Sequence, residues 1–261
     1  MDSNTTYLDE ATFHGRFEIV RNIIESPHFE PQKYSMIAKT NALNLIFDHV
    51  DMPFTPTQLI ELINMMLNKV PKNERAHYLN DVSLYLNNNS PLLTALLACC
   101  DIKVIKCLLE HGASPKYILT HHFDMHTYLT IGSANQRLDI CKLLIKYGAN
   151  PNMVIKNNGK TAFMTCVDDK YTDPDVVNHL AQISNINHQD NDGNTAIINC
   201  IKKNAGFVQI LLKHNPDLTI KNNNGQNVFD ITGLKSRDEI YSFFKIASKK
   251  RKRFDEEDTE Y

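Results

Sequence analysis

Glycine is scarce in this chain, with nine residues in 261. No glycine-rich loop of the kind whose backbone amides cradle phosphates occurs, and G-x-S-x-G, H-E-x-x-H, D-F-G-type and paired-carboxylate signatures are missing as well. Long apolar runs are also lacking. No stretch approaches the roughly 18–20 uninterrupted apolar residues a bilayer crossing needs, and the opening "MDSNTTYLDE" does not have the basic-then-apolar order of a signal peptide. The expectation is a soluble chain with no membrane partner. The six cysteines, Cys99, Cys100, Cys107, Cys141, Cys166 and Cys200, contain no C-x-x-C pair and no regular framework, which predicts reduced, buried thiols. A basic excess is lacking too. The tail after Ser248 carries five Lys/Arg and five Asp/Glu, leaving a body of 23 basic and 25 acidic residues, so no direct nucleic-acid partner is expected.

What the chain does have is a core-forming composition, 42% apolar and 22% charged, and a period. Aligning "HTYL" at Thr127, "KTAF" at Thr161 and "NTAI" at Thr195 gives two spacings of 34 residues; "NSPLL" at Ser90 lies 37 upstream and "QNVF" at Asn227 lies 32 downstream. Each anchor precedes a short helix-like segment and then a second apolar helix: "IKVIKCLLEHGASP", "LDICKLLIKYGANP", "PDVVNHLAQISNIN" and "FVQILLKHNPDL". Ile105 with Leu108 and Leu109, and Ile140 with Leu143 and Leu144, have the i, i+3, i+4 spacing of one helical face. Such a side chain contributes on the order of 1.5–3 kcal/mol when fully buried, but one short helix pair cannot bury its apolar face alone, so stacked neighbours are required. Gly112 and Gly148 are placed to end helices in the left-handed conformation, and the polar stretches that follow, "NNG" and "DNDG", turn the chain toward the next unit. The anchoring Thr or Ser is suited to capping a helix N-terminus.

These residues resemble the ankyrin repeat, whose pattern runs D-x-x-G-x-T-P-L-H-x-A, then a loop, then a helix ending L-L-x-x-G-A-x-x-N. "DNDGNTAIINC" matches best, with Asp190, Gly193 and Thr195 at the Asp, Gly and Thr positions. The start, "TTYLDEATFHGRFEIVRNII", fits with Thr6, Leu8, Ala11, Gly15, Ile19, Val20, Ile23 and Ile24 at the expected spacing. The resemblance implies an all-α ankyrin-repeat solenoid of about six to seven helix-turn-helix units with inter-repeat hairpin loops, spanning residues 1–247, with 35–89 degenerate and 248–261 a flexible tail. Departures are clear: the Pro of the pattern occurs only at Pro91, its His never, and Met125 stands where Gly precedes the anchor. The 49 residues from Asn41 to Ser90 leave about fifteen extra, "PKNERAHYLNDVSLYL", and the 37 after Ser90 lengthen the next hairpin. Both insertions are expected to be exposed contact elements.

The family likeness implies a noncatalytic protein-binding monomer with no cofactor, its partner protein held in a concave groove and by the hairpin tips. Carried onto this chain, the contact residues are Asn158, Lys160, Asp192 and Asn194 in the hairpins and Asp168, Asp169, Lys202 and Lys203 in the loops between helices. His122, Phe123, Asp124 and His126 are expected to form a fingertip bearing an aromatic anchor; a weakly specified zinc site involving His121, His122 and His126, or a partly buried loop, are alternatives. Cys166 and Cys200 fall where Ala95 and Gly132 fall, five residues past their anchors, which predicts close helix packing. Cys107 and Cys141, within apolar second helices, are read the same way. Cys99 and Cys100, near a loop, are expected to be partly exposed. A thiol enzyme using one of these with a histidine of 121–126 is the alternative from a different class, although no adjacent base or electropositive setting is evident.

The tail "SKKRKRFDEEDTEY" places Lys249, Lys250, Arg251, Lys252 and Arg253 in a row before an acidic run. That is the form of a nuclear-import signal read by an import adaptor; a merely solvated charge run is the other reading. Cytoplasmic or nuclear residence is therefore expected, in a host cell if the chain is made by a pathogen or virus to engage host proteins.

Overall fold

The anchors begin helices because their side chains satisfy the otherwise unpaired amides of a first helical turn. In the computed structural model, which describes residues 3–32, 41–47, 54–80, 89–116, 118–121, 124–203 and 205–245, the Ser90 hydroxyl accepts from the amide of Leu93 at 3.2 Å and Thr161 from that of Met164. Thr127 with Thr130, and Asn227 with Asp230, form reciprocal capping boxes. Second helices are opened instead by aspartates, Asp101 and Asp173, each accepting from the amide two residues on. One expected cap fails: the Thr195 hydroxyl is buried without a hydrogen-bond partner among the described residues.

The chain falls into two compact units, residues 1–135 with 139–149, and residues 136–138 with 150–261. The first unit begins with α1 (Ser3–Phe13) and α2 (Phe17–Glu25). A 3₁₀ turn (Ala42–Ile46) followed by α3 (Pro56–Asn68) makes the degenerate second pair. Then come α4 (Arg75–Asn80), the pair α5 (Pro91–Leu97) and α6 (Ile102–Glu110), the hairpin β1 (Ile118–His121) and β2 (Asp124–Thr127), and the pair α7 (Tyr128–Ala134) and α8 (Leu138–Lys146). Its core is continuous and mainly aliphatic, with Leu8, Ile24, Ile46, Leu62, Leu92 and Leu108 all buried and Phe47 among them. The second unit holds three pairs: α9 (Ala162–Asp168) with α10 (Pro174–Ile183), α11 (Ala196–Lys203) with α12 (Val208–Lys213), and α13 (Val228–Thr232) with a helical segment α14 at 237–245. Phe163, Val177, Leu180, Ile198 and Leu211 fill its interior.

The close-packing position behaves as its residue sizes demand. Ala95, Cys166 and Cys200 are buried, and a Cβ added to Gly132 would lie 3.3 Å from both Ile140 and Leu144. Cys107 and Cys141 are buried as well. Gly112 and Gly148 end α6 and α8 at φ of +105° and +95°, the left-handed stop their position predicts.

One expectation about the insertions needs correction. The described part of the first is not a solvated loop: α4 turns Tyr78 and Leu79 into the core, 4% and 0% exposed. Asn80 then ties the helix down, its amide donating to Gly112 O at 2.8 Å while its Oδ1 accepts from Ser114 N at 2.7 Å. The second insertion does form a finger, an antiparallel ribbon pairing Ile118 with Thr127 and His121 with Asp124. Met125 lies in its extended strand, so the glycine turn usual before an anchor has no place there. No described helix is long and apolar enough to cross a membrane.

Candidate protein-binding face

In the second unit the polar turns between helix pairs are built by asparagine and aspartate. The Asp190 Oδ1 accepts from the amides of Asp192 and Asn194 at 3.0 and 2.9 Å, closing a turn whose Gly193 sits at φ +73°. Asn222 repeats the arrangement one turn later, accepting from Asn224 and Gln226, both at 3.0 Å. These side chains imitate a backbone turn, which is why short amide and carboxylate residues recur here.

Successive turns are then laced together. Asn191 N donates to Asn158 O at 3.1 Å and its side chain to Asn157 O at 3.2 Å; Asn223 N donates to Asp192 O at 3.0 Å and its side chain to Asn191 O at 2.9 Å. A second ladder joins the helix ends, Asn152 Oδ1 accepting from Asn185 N at 2.6 Å and Asn187 Oδ1 from Asp217 N at 2.8 Å. The asparagine abundance thus has structural employment. The signal that could have found it is the recurrence of Asn157, Asn191 and Asn223 in matching places ahead of a glycine.

Onto this frame the predicted contact residues are mounted. The Lys160 ammonium bonds the Asp168 carboxylate, whose same oxygen, Oδ2, also accepts from Lys203 at 2.6 Å. Asp168 is thereby shared by a lysine that precedes its own helix and one from the end of the next repeat's first helix. Burial alone would lower the pKa of Lys160; the hydrogen bond to Asp168 and that carboxylate's charge outweigh it and raise the value above the ordinary lysine range. Lys202 reaches Asn194 Oδ1 at 3.2 Å, and the same oxygen accepts from Asn222 at 3.0 Å. Asn158 uses its Oδ1 to hold the amide of Lys160 at 3.0 Å. Five predicted residues, Lys160, Asp168, Asn194, Lys202 and Lys203, are therefore bound into a two-part polar network, with Asn158 at its edge.

Asp169 and Asp192 stand exposed beside that network. Asp169 accepts from the amide of Tyr171 at 3.0 Å, and Tyr171 is the residue that sequence reasoning passed over. Its ring is 70% exposed and carries the Lys170 ammonium 4.6 Å from its centroid. Only its lone aromatic character in the loop "DDKYTD" could have flagged it.

The remaining candidates are separate. Asp124 and His126 belong to β2 in the first unit, in register with His121 and Leu119; His122 and Phe123 lie outside the described residues, as do Lys249, Lys250, Arg251, Lys252 and Arg253. Among the described residues no group of three or more His, Cys, Asp or Glu is arranged to hold a metal ion. Of the two loop cysteines, Cys99 is exposed at φ +53°, whereas Cys100 is buried, contrary to the expectation of partial exposure. Burial pushes the Cys100 thiol up to about 12, and Cys200 likewise, the reverse of what a thiolate nucleophile requires.

Comparison with known proteins fits these turns and helix pairs. Across 88% of this chain and 94% of the other, the structure superposes on the ankyrin repeat domain of Bcl-3, a member of the IκB protein family, with a TM-score of 0.63 at 16% identity. The fold is an ankyrin-repeat solenoid. The human ASB11 ankyrin repeat domain agrees, with a TM-score of 0.64 over 92% of this chain and 96% of that one, at 14% identity. In sequence, the chain is 27% identical over 163 residues to the ankyrin repeat protein L91 of Acanthamoeba polyphaga mimivirus. That match covers 56% of this chain and 24% of the viral protein, so the chain spans about a quarter of its relative. No family model matches the chain. The ankyrin-repeat fold accounts for the seven helical pairs among the described residues and for the glycine-turned, asparagine-laced connections between them.

Proposed function

We propose that the chain is a noncatalytic, monomeric ankyrin-repeat module that holds a partner protein, and that Tyr171 is the anchor of its contact surface in the second unit. The observation that carries this reading is an exposed aromatic ring beside a pre-assembled charge network, Lys160, Asp168 and Lys203. Tyrosine supplies large contact area at low entropic cost, and groups already fixed by hydrogen bonds lose little freedom on binding. Asp169, Asp192, Lys202 and the finger residue Asn158 supply the polar rim, braced from beneath by the buried Asn194 through its bonds to Lys202 and Asn222, and the hairpin residues His122, Phe123, Asp124 and His126 a second contact in the first unit. The partner that suits the rim carries charge of both signs around an apolar hollow.

Affinity capture from amoebal lysate, quantified for wild type, Tyr171→Ala and the Lys202→Glu/Lys203→Glu pair, tests the reading. Loss of the same captured proteins in both variants, by about tenfold or more for Tyr171→Ala, with the melting temperature of Tyr171→Ala unchanged and that of the lysine pair lowered by the lost Lys203–Asp168 bond, is the expected result. Equal capture by all three discards the surface. The viral relative supports a role in engaging host proteins, and the basic run Lys249 to Arg253 supports import of the chain into the nucleus by an adaptor. A tagged chain lacking residues 249–253 is expected to lose nuclear accumulation; identical distribution of the two forms would remove that part of the proposal.

A further inference from the structure

Three consecutive turns of the second unit end in nearly the same tip: Asn157-Asn158-Gly159-Lys160, Asn191-Asp192-Gly193-Asn194 and Asn223-Asn224-Gly225-Gln226. Two of them hold an asparagine followed by glycine. This pair is chemically unstable by its own constitution, because glycine, lacking a Cβ, lets its backbone nitrogen approach the neighbouring side-chain carbonyl. The two Asn-Gly pairs are in opposite surroundings.

Asn158–Gly159 is covered. Asn191 N donates to Asn158 O at 3.1 Å, the Asn191 side chain donates to Asn157 O, and a Cβ placed on Gly159 would stand 2.6 Å from Asn191 N. The Asn158 amide is itself fixed, its Oδ1 accepting from Lys160 N at 3.0 Å. Gly193 is covered in the same way, with Asn223 N 2.7 Å from the place of its absent Cβ. At Asn224–Gly225 the stack ends. Nothing lies within 4 Å of a Cβ built on Gly225, both residues are exposed, and among the described residues no hydrogen bond reaches the Asn224 side chain. Each tip is closed by its glycine amide: Gly225 N donates to Asn222 O and Gly193 N to Asp190 O, both at 2.8 Å, and Gly159 N to Ile155 O, also at 2.8 Å.

We infer that Asn224 is a site of spontaneous deamidation, a modification from which the stacked neighbouring turn shields Asn158. The Gly225 nitrogen, its proton lost to solvent base, attacks Cγ of Asn224. A new C–N bond closes a cyclic imide, and the bond to the side-chain nitrogen breaks, with ammonia leaving after taking a proton from solvent. Water then opens the imide at either carbonyl, leaving aspartate or isoaspartate; no oxidant, reductant or cofactor enters. For ring closure the tip must open locally. Moving the Asn224–Gly225 pair breaks only bonds to Asn222 of its own turn, since the lacing to the preceding turn is made by Asn223, whereas moving Asn158–Gly159 also breaks the bond from Asn191 N to Asn158 O and the packing of Gly159 against Asn191, so its open population is smaller. Asp192, at the equivalent place in the middle turn, shows that an aspartate fits this geometry. The reaction therefore adds a negative charge to an exposed tip without dismantling it, while the isoaspartyl product lengthens the backbone there. The exposed tip acts as a slow clock on the chain's age, converting one finger from neutral to acidic.

The test is peptide mapping by mass spectrometry of the full chain incubated in warm, mildly alkaline buffer, folded and in denaturant. The folded chain is expected to convert Asn224 faster than Asn158 by about tenfold or more, and denaturant is expected to bring the two rates together. The variant Asn191→Ala, which removes the covering side chain, is expected to raise the Asn158 rate while leaving Asn224 unchanged, and Asn224→Gln to abolish the faster reaction. Equal rates at the two sites in the folded chain, or an Asn224 that stays intact there while converting in denaturant, would overturn the proposal.

Discussion

At the scale of single residues, the glycines that close the turns are not equivalent, although their backbones are nearly the same. Gly159, Gly193 and Gly225 lie at φ between +73° and +74°. A side chain in that conformation costs about 1 kcal/mol, and at Gly225 that is the whole cost, since the space around it is open. At Gly159 and Gly193 the added methyl group also meets the backbone of the next turn, and overpacking of this kind costs a further 1–3 kcal/mol or so. Urea unfolding should accordingly rank Gly159→Ala and Gly193→Ala well below Gly225→Ala in midpoint. Equal midpoints for all three would mean the turns are not stacked as described. The anchors offer a parallel contrast. Thr127 is held in a reciprocal capping box, and its replacement by valine should destabilise by about 1 kcal/mol. Thr195 buries a hydroxyl with no partner among the described residues, which costs about 1–3 kcal/mol to desolvate, so Thr195→Val should leave stability unchanged or raise it. Thermal melts of the two variants decide the matter by the sign of the difference.

Helical pairs are the next scale, and there most of the molecule was legible in the sequence. A 34-residue spacing of Thr127, Thr161 and Thr195 can be read without coordinates because an anchor is a local feature at the start of its own helix, where Thr127 and Thr161 accept from the amides of the first turn. The small residue five places later is equally readable, since Ala95, Gly132, Cys166 and Cys200 share a steric demand that their sizes disclose. The asparagine lacing escaped notice for the opposite reason: Asn191 acts on Asn157 and Asn158, more than thirty residues away, and that proximity exists only once the pairs are stacked. Tyr171 escaped because an exposed ring and a buried one look the same in a sequence. Helix α4 is hidden by its polar context, since the apolar residues of "NERAHYLND", Ala76, Tyr78 and Leu79, set no period, yet Tyr78 and Leu79 enter the core. If α4 is structural, Leu79→Ala should cost about 2–5 kcal/mol, read as a shift in the denaturant midpoint. A cost below 1 kcal/mol or so would restore the insertion to the status of a surface loop.

On the scale of the whole molecule, an array of this kind is stabilised by what each helix pair contributes and by what each interface between neighbours adds. Within the second unit the Asp168 carboxylate is one such interface term, because Lys160 and Lys203 reach it from consecutive repeats. Its pH dependence follows from the raised pKa of Lys160. A cation whose pKa is higher in the folded than in the unfolded chain contributes stability that is complete below its unfolded value, near 10.4. The contribution disappears as the pH rises through the folded value. The groups facing the ammonium are Asp168, Lys203 and Asp190, and acidification in the neutral range leaves this contribution in place. The pair is partly exposed, so its worth is at most about 1 kcal/mol. Lys160→Met should therefore unfold at a lower urea concentration than wild type near neutral pH, and the gap between the two should close above about pH 10.4. Since the gap is measured between two chains that share every other lysine and tyrosine, general alkaline denaturation cancels from it. A gap that persists unchanged into alkali would show that Lys160 stabilises the array by the packing of its stem and not by its charge on Asp168.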